Sequence, residues 1–218
     1  MKTREEIKLN AKKSLSGKVF LSFVIMIIPA LISGLPSILS TRFEDSGEGV
    51  RVVFSLLIII FSIGLMPMQT GLRLYFLNLY RGQKEEFNDL FVPYKNKSAF
   101  EIIKAKVLSG IYIIIGFIFL IIPGIYLALK YSMIDYIIAD KKNIKYNEAM
   151  KESGEIMQGN KGRLIVLALS FIGWFFIVLI TFGIAIIYVG PYLETTFAGF
   201  YDDIKKPVEI EPLPEKQF

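Results

Sequence analysis

The stretch that decides the fold runs from Leu164 to Tyr201 and reads LIVLALSFIGWFFIVLITFGIAIIYVGPYLETTFAGFY, with Glu194 as its one charged residue. A continuous α-helix of this length would measure roughly 57 Å, about twice the thickness of the hydrocarbon core of a bilayer. Thr181-Phe182-Gly183 lies near its middle, where glycine can supply a turn. The stretch therefore predicts two membrane-crossing helices joined by a tight connection.

Three other stretches are equally poor in charge. Val19 to Thr41 has none, Val52 to Tyr80 contains only Arg73, and Val107 to Ala139 contains only Lys130 and Asp135. The third is interrupted by Pro123-Gly124, which predicts a second hairpin. We therefore expect an all-α, polytopic transmembrane bundle of about six spans in three hairpins. The predicted spans are 19–41, 52–80, 103–122, 124–139, 164–182 and 184–201.

The distribution of basic residues favours six spans over four. With six spans and an inner N-terminus, 23 of the 25 Lys and Arg residues lie inside, and only Arg42 and Arg51 lie outside. Four spans would leave 16 inside and 9 outside. A 103–139 hairpin that enters the membrane without crossing it would keep the charges on the same sides. Isoleucine and lysine are abundant, which suits an AT-rich bacterium, so we expect the protein to lie in a bacterial cytoplasmic membrane. The distribution of basic residues places both termini on the cytoplasmic side.

Composition excludes several classes of protein. Hydrophobic residues make up 53% of the chain and the mean hydropathy is +0.51, which excludes an ordinary soluble domain. Cysteine and histidine are both absent from the sequence, so disulfides, thiol nucleophiles, a Ser-His-Asp triad and most zinc sites are excluded. The sequence predicts no enzyme, no cofactor and no nucleic-acid surface. We expect one membrane domain over residues 1–205 and a disordered tail over 206–218.

Residues 3–17 have the pattern of an amphipathic helix on the inner surface. Thr3 and Glu6 have capping-box spacing, and Ile7, Ala11 and Leu15 form an apolar stripe. The neighbouring basic residues, Lys8, Lys12 and Lys13, are candidates for binding anionic lipid. The alternative is an ordinary positively charged flank that lies on the membrane.

Residues 147–158 predict a second surface helix, capped by Asn147 and ended by Gly159. One face carries Ala149, Met150, Ser153, Ile156 and Met157. This face either docks a partner or packs beneath the bundle, and packing is favoured because apolar faces are usually buried within their own chain.

Ionisable residues within apolar runs are candidates for a functional network. The candidate set is Gln69, Arg73, Lys130, Asp135 and Glu194. Asp135 and Glu194 could line an ion or proton path. Alternatively, Arg73 or Lys130 pairs with Glu194 and holds the bundle together, which is favoured because the four ionisable residues lie towards the inner ends of their spans.

Several motifs in the second half resemble a known family. They are Ile122-Pro123-Gly124-Ile125-Tyr126, Glu148-Ala149-Met150-Lys151-Glu152-Ser153 and Gly190-Pro191-Tyr192 with Ala198-Gly199-Phe200-Tyr201. The set resembles the bacterial integral-membrane family of unknown function DUF975, from about Gly82 to Asp203 and more loosely from Ala11 to Gly17. The resemblance implies a membrane protein and no particular activity. We therefore predict a non-catalytic membrane component that binds lipid or, at its cytoplasmic face, a protein partner. The alternative is a small channel or transporter that uses the intramembrane charges.

Overall fold

The computed structural model describes residues 1–41, 47–95, 98–141 and 143–205. Its regular elements are helices, with no strand in these ranges, so the all-α prediction is confirmed. The predicted disordered tail, 206–218, lies outside the described residues.

The described residues form twelve α-helices and one 3-10 turn, Phe87–Phe91. The helices are α1 Arg4–Leu15, α2 Val19–Ser40, α3 Glu48–Gly64, α4 Met66–Tyr80, α5 Val92–Lys95, α6 Ala99–Phe119, α7 Ile121–Tyr131, α8 Ile134–Asp140, α9 Tyr146–Ile156, α10 Lys161–Leu169, α11 Ile172–Ile180 and α12 Ile186–Ile204.

Five of the described helical segments are long and apolar enough to cross a membrane. They are Val19–Pro36, Glu48–Tyr80, Ala99–Phe119, Ile121–Asp140 and Lys161–Ile180. Large apolar side chains cover their surfaces, and neither α3 nor α11 has a buried residue. An exposed apolar surface of this extent is what a lipid-covered helix requires.

Helix α12, predicted as the sixth span, is not among these five segments. It lies at the centre of the fold, packed against α1, α2 and α4, and much of its length is buried. Thr195 and Thr196 are fully buried and donate to the carbonyls of Pro191 and Tyr192, both at 2.7 Å. A helix surrounded by other helices can therefore carry more polar residues than its lipid-facing neighbours.

The break predicted at Pro123-Gly124 occurs at Leu120, three residues earlier. Helix α6 ends at Phe119, Leu120 is extended, and α7 starts at Ile121. Pro123 therefore lies in the first turn of α7, where a missing N–H breaks no helical hydrogen bond. The adjacent Gly124 packs so closely on the Phe117 ring that a Cβ there would lie 2.4 Å from it. Glycine thus serves the contact between α6 and α7 rather than the turn.

The second predicted break is confirmed at residues 181–185. Helix α11 ends at Ile180, Phe182 and Gly183 have φ values of 48° and 90°, and α12 begins at Ile186. Interruptions that the sequence analysis did not predict also occur at Leu65, at 132–133 and at 170–171.

Both predicted amphipathic helices exist, and both pack on protein. In α1 the Thr3–Glu6 capping box is present, and Ile7, Ala11 and Leu15 are buried. Because α1 lies against α12 and α4, this stripe does not face the membrane. Amphipathic periodicity alone cannot distinguish a protein surface from a lipid surface.

Helix α9 also buries its predicted face, against α6, α7 and α8. However, it begins at Tyr146, so Asn147 is not its cap. The Glu101 carboxylate accepts from the Tyr146 N–H at 2.9 Å and provides the acceptor that the predicted cap would have supplied.

Candidate functional site

Glu194, one of the predicted intramembrane candidates, is paired. It lies in the middle of α12 and accepts a hydrogen bond from the Arg73 guanidinium of α4. Both side chains are mostly buried, and the guanidinium also lies 5.6 Å from the centroid of the Tyr136 ring. Of the two predicted partners of Glu194, the structure therefore shows Arg73.

Asp135 of α8 belongs to a second ionic contact. Its carboxylate accepts from the Thr70 hydroxyl at 2.9 Å and lies 3.1 Å from the Lys106 ammonium of α6. Lys106 also donates to the carbonyl of Met66 at 3.3 Å. The carboxylate is thus held by donors from two other helices, as the cost of placing a charge in an apolar segment requires.

Gln69 and Lys130 do not join these pairs among the described residues. Gln69 is half-buried on α4 and has no described partner for its amide. The Lys130 ammonium lies 5.1 Å from the centroid of the Tyr131 ring, and the Lys130 carbonyl accepts from Ser153 at 2.8 Å. Lys130 therefore contacts α9 through its carbonyl and does not neutralise Glu194.

The paired charges form one side of a cavity of about 520 Å³. Arg73, Asp135 and Glu194 line it, and the other lining residues are mostly apolar side chains from α7, α8, α10 and α12. A cavity with apolar walls and a few fixed polar groups is a typical binding site for a small molecule.

A third ionic cluster joins the C-terminal ends of three helices. Arg81, directly after α4, donates to both oxygens of Asp140 at 2.5 and 2.9 Å and to Asp202 at 2.7 Å. Lys205 lies 3.1 Å from Asp202, and the Tyr201 hydroxyl donates to Asp140 at 3.2 Å. Helix C-termini favour cations, so Arg81 and Lys205 also suit this location. The ends of α4, α8 and α12 therefore lie on one side of the protein.

The acidic residues at this end are ionised. Burial raises the pKa of Asp202, but hydrogen bonds from Arg81 and Lys205 outweigh it, so that its pKa lies below its ordinary value. Asp203 behaves in the same way. Its pKa is raised by burial and lowered more strongly by Arg163 at 2.7 Å and by the Lys2 N–H at 2.7 Å.

The three candidate lipid-binding lysines of α1 have different environments. Lys8 donates to the Ser170 carbonyl and hydroxyl at 3.3 and 3.1 Å, and its ammonium lies 4.4 Å from the centroid of the Phe171 ring. Burial, together with Arg4 and Lys12, lowers the pKa of Lys8. Lys12 and Lys13 are exposed. Lys8 thus contacts the break between α10 and α11, and the other two remain accessible.

Comparison with known families identifies the second half of the chain. Residues 111–207 match the family model of DUF975, described as a protein of unknown function. Over these residues the chain is similar to DUF975. The resemblance seen in the motifs is therefore confirmed over a shorter stretch than predicted. Neither the search of curated proteins nor the search of solved structures found a match.

The DUF975 match reveals how the two halves of the chain are joined. Asp135, Asp140, Glu194 and Asp202 all lie within residues 111–207. Their partners Arg73, Arg81 and Lys106 precede this region, whereas Lys205, which also contacts Asp140 and Asp202, lies within it. The ionic contacts of Arg73, Arg81 and Lys106 therefore bind the first half of the chain to the region that matches DUF975.

Two of these basic residues were missed by the sequence analysis. Arg81 follows the apolar run 52–80, and Lys106 precedes the run 107–139, so both look like ordinary flanking charges. The available signal is position, since each lies directly beside the end of an apolar run. Their acidic partners are distant in sequence and could not be inferred from spacing.

Proposed function

We propose that this chain is a non-catalytic component of the bacterial cytoplasmic membrane, with six spans and both termini inside, that binds lipid or a protein partner at its inner face. The observation that carries the proposal is the pairing of Arg73 with Glu194 and of Lys106 with Asp135. Charges held in mutual contact are suited to joining helices. A conduction path would instead favour ionisable groups that face water.

The geometry of α12 supports the sixth crossing. Its N-terminal end follows the connection at 181–185, and its C-terminal end meets Arg81 and the Lys2 backbone. The two ends of the described chain therefore lie on the same side. Burial among other helices accounts for the low hydropathy of α12.

Cysteine labelling tests the topology, because the native chain has no cysteine. Ile122 and Phe182 are 80% and 99% exposed at the predicted outer connections. Lys84 and Lys151 have exposed side chains at the predicted inner face. We expect a membrane-impermeant thiol reagent to reach Ile122→Cys and Phe182→Cys from outside the cell, and Lys84→Cys and Lys151→Cys only in inverted vesicles.

Lys151 gives the decisive result. The four-span arrangement places residues 130–163 outside, whereas residue 84 is inside in both arrangements. Labelling of Lys151→Cys on intact cells, with Lys84→Cys unlabelled, would overturn the six-span proposal.

A small channel or transporter is the second candidate, and the cavity beside Arg73, Asp135 and Glu194 favours it. Proteoliposomes loaded with a pH-sensitive dye and driven by a potassium diffusion potential test for proton flux. The first proposal predicts no flux above that of empty liposomes. A flux that disappears in folded Asp135→Asn or Glu194→Gln protein would refute it in favour of transport.

A further inference from the structure

A second cavity, about 360 Å³ in volume, lies between the first turns of α1 and α10. Lys2, Arg4 and Arg163 line it, and no acidic residue is among its described lining residues. The Asp203 carboxylate lies 2.7 Å from the Arg163 guanidinium and neutralises one of these positive charges. The cavity thus has an excess of positive charge.

The other walls of this cavity are apolar. Ile7, Val166, Leu167 and Phe200 complete the lining. Val166 lies three residues after Arg163 in α10, a rise of about 4.5 Å along the helix. Basic groups and apolar groups are therefore stacked along the direction in which α10 enters the membrane.

The apolar wall is continuous with a lipid-facing surface. Val166 is half exposed, and Ile165 and Leu169 beside it are also exposed. All three belong to the segment Lys161–Ile180, which is apolar enough to span a membrane. A molecule in this cavity can therefore place an anionic group among the basic residues and a hydrocarbon chain along α10.

We propose that this cavity binds the phosphodiester headgroup of an anionic phospholipid of the inner leaflet. Arg4 binds the phosphate, and Arg163, held in place by Asp203 and by the Lys2 carbonyl at 2.9 Å, completes the site. The Lys2 ammonium lies 5.3 Å from the centroid of the Tyr80 ring, outside this lining. An inorganic anion would match the charge but would leave the apolar wall uncovered. The inference rests on the proposed lipid binding and specifies its site and headgroup chemistry.

Arg4 is the residue to test, because its side chain is exposed whereas Arg163 is part of the packing. Lys151 provides a matched control, since its side chain is exposed, it carries the same charge and it does not line the cavity. Protein in neutral-detergent micelles is titrated with phosphatidylglycerol, phosphatidylcholine or inorganic phosphate, and bound lipid is measured by native mass spectrometry.

We expect phosphatidylglycerol to bind with saturation and in preference to phosphatidylcholine, and inorganic phosphate not to compete with it. Arg4→Gln should weaken phosphatidylglycerol binding about fivefold, on the basis of one basic residue at a membrane surface. Arg4→Lys should retain most of the affinity, and Lys151→Gln should bind like the wild type.

Two results would overturn the inference, and they differ in meaning. Selective binding that is equally affected by Arg4→Gln and Lys151→Gln would place the lipid elsewhere and leave the proposed lipid binding intact. Absence of selective binding by the wild-type protein would refute both the site and lipid binding as the function.

Discussion

Two stacked tyrosines allow the contribution of a single hydroxyl to be measured. Tyr136 of α8 and Tyr201 of α12 are 3% and 0% exposed, and their ring centroids are 5.5 Å apart with planes at 17°. The Tyr201 hydroxyl donates to Asp140 at 3.2 Å. The buried Tyr136 hydroxyl has no hydrogen-bond partner among the described residues.

Replacing each tyrosine with phenylalanine should change the free energy of unfolding in opposite directions. Tyr201→Phe removes a hydrogen bond to a charged acceptor, and its long distance places the loss near the lower end of the usual range, at about 1–2 kcal/mol. Tyr136→Phe removes a buried hydroxyl without a partner, so the free energy of unfolding should rise by about 1 kcal/mol or more. Both variants retain the stacked rings.

Unfolding by increasing SDS in mixed micelles provides the assay, with fluorescence of the one tryptophan, Trp174, as the signal. Trp174 packs on Tyr188 and Tyr192 of α12, so it reports on the central helix. If Tyr136→Phe lost as much stability as Tyr201→Phe, the Tyr136 hydroxyl would have a partner and the assignment of the hydrogen bonds would be refuted.

The same titration tests three further expectations. Gly71→Ala should lower the free energy of unfolding by about 1–3 kcal/mol, because a Cβ at Gly71 would lie 2.3 Å from a backbone carbonyl oxygen of the 3-10 turn. Gly64→Ala is the control and should not be destabilised, because a Cβ at Gly64 would have no neighbouring atom within 4 Å. Thr3→Ala should lower the free energy of unfolding by about 1 kcal/mol, because α1 loses its N-terminal cap. An unchanged midpoint of the SDS unfolding transition would contradict the capping box. The lowered pKa of Asp203 means that its stabilisation is complete above the unfolded-state value of about 3.9 and is lost as pH falls through the folded-state value. The deficit of Asp203→Asn at pH 7 should therefore shrink below about pH 4, and a deficit independent of pH would show that the charge is not responsible.

Much of the fold could be predicted from local sequence because membrane helices are defined by the absence of charge. The helical runs that begin at Val19 and Val52 could be predicted from their length and their apolar composition alone. Pro123-Gly124 was less informative, because proline is tolerated both in a turn and in the first turn of a helix. The preceding Leu120, where the chain actually bends, has no side-chain signal.

The candidate site was predicted only in part. Arg73, Asp135 and Glu194 were detectable because each is a charge inside an apolar run. Their pairing depends on which helices are neighbours, and that is set by packing between distant segments. The same limitation applies to α1, whose stripe could have faced lipid or protein with an unchanged pattern.

The central position of α12 has a consequence for biogenesis. Glu194 and the two threonines that follow it make α12 the least apolar of the predicted spans, and Glu194 is neutralised by a residue of α4. Helix α4 is synthesised more than a hundred residues before α12, so on the six-span proposal its arginine enters the bilayer before α12 leaves the ribosome. We therefore expect α12 to pass from the translocon into the bilayer only when it can pack against the helices that were inserted before it. An Arg73→Leu chain should leave this last helix stranded at the membrane surface, where quality-control proteases can reach it.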